Sequence, residues 1–132
     1  MDPRGFLQPA ALGGIYVLLI GEDAETRATL REILRYCGAL VQEARSVSHA
    51  RNIMNETVPR ILVLVLRTPA ESAWEMVRVL RAVHPDDGGK IPIVGVGPRT
   101  LAGTARVNGL DGYVAEPVAA DALCRMVAEL TS

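Results

Sequence analysis

The sequence predicts an α/β protein built on a doubly wound, five-stranded parallel sheet. Three strand-like segments, IYVLLI (15–20), ILVLVL (61–66) and IPIVGV (91–96), are apolar almost throughout, as expected for parallel strands that helices cover on both faces. Two further strand-like segments are ALVQEA (39–44) and GYVA (112–115). All five alternate with helical segments, and right-handed crossovers between parallel strands place helices on both faces of the sheet.

The first two helical segments follow the first two strands. EDAETRATLREILRYCG (22–38) carries an apolar stripe at helical spacing and ends on a glycine, which is typical of a helix stop. Ser46 or Ser48 is predicted to cap the second helix, which runs to about Asn55, because a serine side chain can accept a hydrogen bond from a free amide of the first turn.

The remaining segments complete the alternation. Ser72 is predicted to cap a third helix that ends near Val83. HPDDGGK (84–90) is a polar turn, and the stretch 98–109 contains two glycines and a proline, so we expect a short, glycine-broken helical segment there. An amphipathic last helix is predicted over 121–130.

Composition excludes several classes of function. Fourteen basic against fifteen acidic residues give a net charge of −1, which argues against general binding to nucleic acids or anionic membranes. No apolar run approaches the length of about 18 residues that a membrane span needs. Cys37 and Cys124 fall among apolar residues and are predicted to be buried thiols in a reducing compartment. We expect a cytoplasmic protein without a cofactor, with a loose leader over 1–14 and one domain over 15–131.

Four segments in this order resemble the receiver domain of two-component response regulators: VLLIGEDAETR, ILVLVLRTP, IPIVGVG and DGYVAEP. The similarity covers about residues 15–130. It implies the flavodoxin-like receiver fold with the sheet order 2-1-3-4-5, in a bacterial signalling protein. The separation of Gly97 and Tyr113 is shorter than usual in the family by nearly one helical turn, so the fourth helix should be short or irregular.

The reactive groups of the family are replaced at most of the matching positions. Such receivers carry an acidic pair after strand 1, a phosphoacceptor Asp that ends strand 3, a hydroxyl that ends strand 4 and a Lys before a Pro after strand 5. Carboxylates bind Mg²⁺, the Asp attacks a phosphoryl group, and the Lys neutralises charge. These positions fall, in order, on Gly21 and Glu22, on Val65, on Gly97, and on Glu116 before Pro117; Asp23 adds a third acid, and Tyr113 matches an aromatic switch position.

The replacements predict a degenerate receiver, or pseudo-receiver. Without an acid on strand 3, Glu22 and Asp23 are the residues that could contact a cation, but two adjacent carboxylates make a poor Mg²⁺ site, so we expect no bound metal. Arg67 or Arg99 could supply a counter-ion, and an Arg–Glu contact is predicted to close the pocket.

The resemblance implies a non-enzymatic, phosphorylation-independent interaction module that stands alone. Its partner would be a histidine kinase, another regulator or an output enzyme. A homodimer could form through the face of the fourth helical segment, fifth strand and last helix, or through the first helix. The alternative is a small-molecule or pH sensor that uses the emptied pocket of Gly21, Val65, Gly97 and Glu116. An enzyme is the weakest reading, since no nucleophile–base pair or cofactor loop is visible and a fold does not establish a function.

Overall fold

The predicted parallel sheet is present in the computed structural model, which describes residues 11–83 and 90–132. All strand pairs are parallel, and the order across the sheet is β2-β1-β3-β4-β5. This confirms the predicted fold class. The strands are β1 Tyr16–Ile20, β2 Leu40–Ala44, β3 Ile61–Val65, β4 Ile93–Gly97 and β5 Gly112–Ala115.

Helical segments follow every strand. The fourth is only a six-residue 3-10 helix, which confirms the expected short or irregular segment. The glycines and the proline of this stretch explain it, because both residue types are poor helix formers. The helices are α1 Ala24–Tyr36, α2 Val47–Met54, α3 Ala70–Arg81, the 3-10 helix Arg99–Thr104 and α4 Ala120–Thr131.

Two apolar layers cover the sheet, one on each face. On one face Val17 and Leu19 of β1 pack with residues of α1 and α4, such as Leu34 and Leu123. On the other face, residues of β1, β3 and β4 pack with residues of α2 and α3 such as Met54, and with the 3-10 helix. Every residue of β3 and β4 is buried, which explains their continuous apolar sequences.

The helix starts agree with the sequence prediction at α2 and differ at α3. Ser46 is the N-cap of α2, and its hydroxyl accepts a hydrogen bond from the amide of His49 at 3.0 Å. The predicted Ser72 cap is wrong: α3 begins at Ala70, with Pro69 in the N-cap position and no capping side chain. Proline fits there because its fixed φ and missing N–H are tolerated where a helix begins.

One residue of the predicted leader belongs to the core. Leu12 is fully buried, and its amide donates to the carbonyl of Cys37 at 2.7 Å. The packed part of the chain therefore includes residues assigned to the leader. Residues 1–10 of that leader, and the predicted polar turn except Lys90, lie outside the described residues.

Arg81 joins the end of α3 to the strands β4 and β5. Its guanidinium donates to Asp111 Oδ2 at 2.6 Å, to the carbonyl of Gly109 at 2.8 Å and to that of Ile91 at 2.7 Å. Asp111 Oδ2 also accepts from the amide of Ile93 at 2.8 Å. One side chain therefore holds the end of α3 to the two segments that lead into β4 and β5.

Both cysteines are free and buried, as predicted. Burial raises the pKa of the Cys124 thiol, and the neighbouring Cys37 acts in the same direction. Such thiols are poor nucleophiles because the reactive thiolate is disfavoured. Within residues 11–83 and 90–132, no helix combines the length and the apolar character needed to cross a bilayer.

Candidate functional site

The predicted site residues lie at one edge of the sheet, because the carboxyl ends of parallel strands point the same way. Strands β1, β3, β4 and β5 are consecutive neighbours in the sheet, so the residues that follow them approach one another. Direct contacts divide the predicted residues into three groups: Gly21 with Val65, Arg67 with Glu116, and Gly97 with Tyr113.

Val65 fills the space beside Gly21. The residue is 6% exposed, and its side chain packs in the apolar layer formed with α1 and α4. A Cβ atom added to Gly21 would lie 3.0 Å from both Cβ and Cγ2 of Val65, closer than the roughly 3.5–4.0 Å of a good carbon–carbon contact. The small residue on β1 and the branched residue on β3 are therefore sterically matched.

A cationic side chain that was not predicted from the sequence lies at the end of β1. Arg27 of α1 donates from Nη1 to the carbonyl oxygen of Gly21 at 2.6 Å and to that of Glu22 at 3.2 Å. Its Nε donates to Glu43 Oε1 at 3.1 Å, and only 12% of the arginine side chain is exposed. Hydrogen bonds with a charged donor are the stronger ones, so Arg27 holds this strand end firmly.

Glu43 of β2 completes this arginine cluster. Its second carboxylate oxygen accepts from Arg31 Nη1 at 2.6 Å. The hydrogen bond from Arg31 is the main cause that holds the pKa of Glu43 below its usual range, and Arg27 adds to it. Arg27 and Arg31 are four residues apart and so share one helix face, which is the one signal in the sequence. Nothing in the sequence identifies the distant Glu43 as their partner.

Arg67 forms an ion pair with Glu116 after the end of β5, which is the predicted Arg–Glu contact. Its Nη1 lies 3.0 Å from Glu116 Oε1 and 2.9 Å from the carbonyl oxygen of Leu66, while Nη2 lies 3.3 Å from Thr26 Oγ1. The arginine thus links α1, β3 and the segment after β5. The other predicted counter-ion, Arg99, is an exposed residue of the 3-10 helix.

Tyr113 occupies the room that the missing side chain of Gly97 leaves. A Cβ atom on Gly97 would lie 2.6 Å from the carbonyl oxygen of Leu66 and 2.7 Å from Tyr113 Oη. The tyrosine hydroxyl donates to the carbonyl of Pro98 at 2.7 Å. Burial is the main cause that raises the pKa of Tyr113 to about 12, with a smaller effect of the Glu116 charge. The side chain is therefore held inward as a neutral hydrogen-bond donor.

The remaining acidic residues are at the rim. Asp23 is the N-cap of α1: its Oδ2 accepts from the amide of Thr26 at 3.0 Å and from its hydroxyl at 2.5 Å. These hydrogen bonds hold the pKa of Asp23 below its usual range. Glu22 and Pro117 are exposed.

These acids do not form a set of metal ligands. Among the described residues, no three His, Cys, Asp or Glu side chains lie close enough together to hold a metal ion. Mg²⁺ requires several oxygen ligands in near-octahedral geometry, and Glu22 and Asp23 supply two adjacent carboxylates, of which Asp23 is already engaged in capping α1. The edge thus lacks the ligand set that Mg²⁺ requires.

The four positions of the emptied pocket do not all line the cavity found at this edge. Gly21 and Val65 line a cavity that opens toward α2 and α3, whereas Gly97 and Glu116 do not. Tyr113 covers Gly97 instead. The sensor alternative therefore loses its predicted pocket, although a neighbouring cavity exists.

Comparison with solved structures shows receiver domains of similar fold. A candidate response regulator from Chloroflexus aurantiacus superposes with a TM-score of 0.79 at 20% identity, over 89% of this chain and 98% of that one. The receiver domain of a sensor histidine kinase from Pseudomonas aeruginosa, with a magnesium ion in its active-site cleft, gives 0.75 at 20% identity, over 90% of this chain and 98% of that one.

A third similar structure contains a signalling complex. It is the co-crystal of a Saccharomyces cerevisiae histidine phosphotransfer signalling protein with the receiver domain of its downstream response regulator. Its TM-score is 0.74 at 21% identity, over 90% of this chain and 90% of that one. No protein-family model matches the sequence, and the search of curated proteins returned no match. The chain therefore has the fold of response-regulator receiver domains.

Proposed function

We propose that this chain is a pseudo-receiver that binds a signalling protein of a two-component system without being phosphorylated. The observation that carries the proposal is Val65, which is buried at the end of β3 against Gly21. A valine side chain has no lone pair that could attack a phosphoryl group or bind a metal. The position that the family uses for covalent chemistry therefore contributes only to packing here.

The surrounding contacts support a single fixed conformation rather than a switch between two. Arg67 pairs with Glu116, and Tyr113 is hydrogen-bonded inward over Gly97. A ligand or modification changes a conformational equilibrium only if it interacts differently with the two states. A phosphoryl group that cannot be attached provides no such difference, so a constant interaction surface fits the site better than a phosphorylation switch.

The proposed partner is a histidine kinase, a phosphotransfer protein, another regulator or an output enzyme. Receiver domains of similar fold come from a sensor histidine kinase and from a complex with a phosphotransfer protein. We propose a non-catalytic role in the cytoplasm of a bacterial cell, in which the domain acts as an adaptor. A homodimer remains an additional prediction of this proposal.

The proposal is tested by cross-linking the tagged protein in native lysate and identifying the captured proteins by mass spectrometry. Parallel samples are pretreated with or without acetyl phosphate and Mg²⁺. We expect the same two-component protein to be enriched in both samples. Capture that depends on acetyl phosphate would contradict phosphorylation independence, and capture of this chain alone would contradict the adaptor role and indicate self-association.

A further inference from the structure

A cavity of about 530 Å³ opens beside Val65. It lies at the carboxyl ends of β1 and β3 and extends to Val47 at the start of α2 and to Ser72 and Met76 of α3. In the sheet, β2 lies on one side of β1 and β3 on the other, so the strand order reverses at β1. In open α/β sheets such a switch point is where ligands bind, and small-molecule sites have volumes of about 300–1,000 Å³.

The floor of the cavity is apolar and its rim is polar. Among the lining residues, Ile20, Leu64 and Val65 are buried, whereas the hydroxyl-bearing Ser46, Thr68 and Ser72 are exposed. This combination of an apolar floor and a few polar groups at the mouth is characteristic of sites that take a small organic molecule. The apolar residues that line the cavity are Ile20, Val47, Leu64, Val65, Pro69 and Met76.

Four charged side chains line the cavity, and two of them have no side-chain partner among the residues that the structure describes. Arg67 is paired with Glu116, and Asp23 caps α1. The Arg45 guanidinium and the Glu22 carboxylate are exposed and make no ion pair or side-chain hydrogen bond with any residue that the structure describes. Within residues 11–83 and 90–132, the lining thus includes one cation and one anion, Arg45 and Glu22, that no other side chain neutralises.

We propose that this cavity binds a small zwitterion with an apolar side chain, of the class of aromatic or aliphatic α-amino acids. Its carboxylate would pair with Arg45, its ammonium group with Glu22, and its side chain would lie on the apolar floor. A simple anion would be repelled by Glu22 and a simple cation by Arg45, so a ligand that carries both charges complements the rim best. The site does not depend on the proposed interaction role, because none of these contacts involves a partner protein.

The test uses three probes of nearly equal size in nuclear magnetic resonance titrations of the ¹⁵N-labelled protein. The probes are L-phenylalanine, 3-phenylpropanoate, which lacks the ammonium group, and 2-phenylethylamine, which lacks the carboxylate. We expect L-phenylalanine to shift the amides of Gly21, Val47, Val65 and Ser72 at millimolar concentration, and the other two probes to bind more weakly. Equal binding of all three, or no shift of these amides, would overturn the proposal.

Four variants locate the site. Arg45→Gln and Glu22→Gln should each weaken L-phenylalanine binding by about two- to fivefold, the range for an exposed charge pair. Ser72→Trp should abolish binding by occluding the rim, whereas Glu71→Trp, at an exposed position of α3 that does not line the cavity, should leave it unchanged. Circular dichroism verifies that each variant is folded. Binding that survives Ser72→Trp, or that both tryptophan variants abolish equally, would refute this location.

Discussion

Replacing Gly97 by alanine should lower the free energy of unfolding strongly, although the substitution adds only one methyl group. The added Cβ atom would lie 2.6 Å from the carbonyl oxygen of Leu66 and 2.7 Å from Tyr113 Oη. The first atom is backbone held in the sheet, since the amide of Leu66 donates to the carbonyl of Val96 at 2.7 Å. Only the tyrosine can move freely, and moving it breaks its hydrogen bond to Pro98.

The magnitude follows from two contributions. Forcing extra volume into a packed site costs about 1–3 kcal/mol, and a lost hydrogen bond costs about 1 kcal/mol. We therefore expect Gly97→Ala to lower the free energy of unfolding by about 3 kcal/mol. Gly103→Ala is the matched control, because Gly103 is exposed and nothing lies within 4 Å of an added Cβ atom there. This control should be neutral or stabilising by up to about 1 kcal/mol.

Urea unfolding followed by circular dichroism measures both variants, with the free energy taken from linear extrapolation. Combining Gly97→Ala with Tyr113→Phe removes the hydroxyl that meets the new methyl group. The double variant should therefore lose about 1 kcal/mol less than the sum of the two single losses. A Gly97→Ala protein within about 0.5 kcal/mol of the unmodified protein would refute this account of the packing.

Three further predictions concern other contacts of the structure. Arg81→Met should lower the free energy of unfolding in the urea assay by about 2 kcal/mol, because the hydrogen bonds to Asp111 and to neighbouring carbonyls are lost. The control Arg78→Met, on the exposed face of the same helix, should change it by under about 0.5 kcal/mol. Absorbance at alkaline pH should show one tyrosine with a pKa of about 12 that Tyr113→Phe removes; because this pKa is raised on folding, stability should fall as the pH rises from about 10 to 12. The pKa of Asp23 is lowered in the folded protein. Asp23 therefore contributes stability at pH values above its unfolded pKa of 3.8, and this contribution disappears as the pH falls through the folded pKa. Asp23→Asn should therefore flatten the acid side of the plot of stability against pH.

The sheet could be predicted from the sequence because its strands have an unambiguous signal. A continuous apolar segment such as 61–66 is stable as a strand only where both faces of the sheet are covered. The observed β3, Ile61–Val65, ends one residue before the predicted strand does. The irregular fourth segment was predictable from its glycines. The start of α3 was not, because the capping preference of Ser72 was outweighed by a proline that permits an earlier start.

The site could be predicted only in part, for a physical reason. Strand order determines which loops meet, so a contact between Glu116 and an arginine could be anticipated. Whether Arg67 or Arg99 makes it depends on side-chain reach, which the sequence does not contain. The cluster of Arg27 with Glu43 depends on how α1 is rotated over β2, and such long-range pairing leaves no spacing in the sequence.

The cavity at the carboxyl ends of β1 and β3 was also not foreseeable from the sequence. The residues that line it, such as Val47 and Met76, have ordinary apolar patterns, and the space left between neighbouring elements leaves no pattern in the sequence. The sequence instead suggested a pocket that includes Gly97. The structure shows Tyr113 next to that glycine, because an aromatic side chain fills the room that the absent side chain leaves.

The central claim, that the edge at Val65 supports no phosphoryl chemistry, is tested most directly by intact-mass spectrometry. The purified protein is incubated with acetyl phosphate and Mg²⁺ and measured beside an untreated sample. We predict identical masses, because Val65 offers no nucleophile and the nearby acids do not form a magnesium site. A stable phosphoryl adduct at Asp23 or at any other carboxylate would contradict the account.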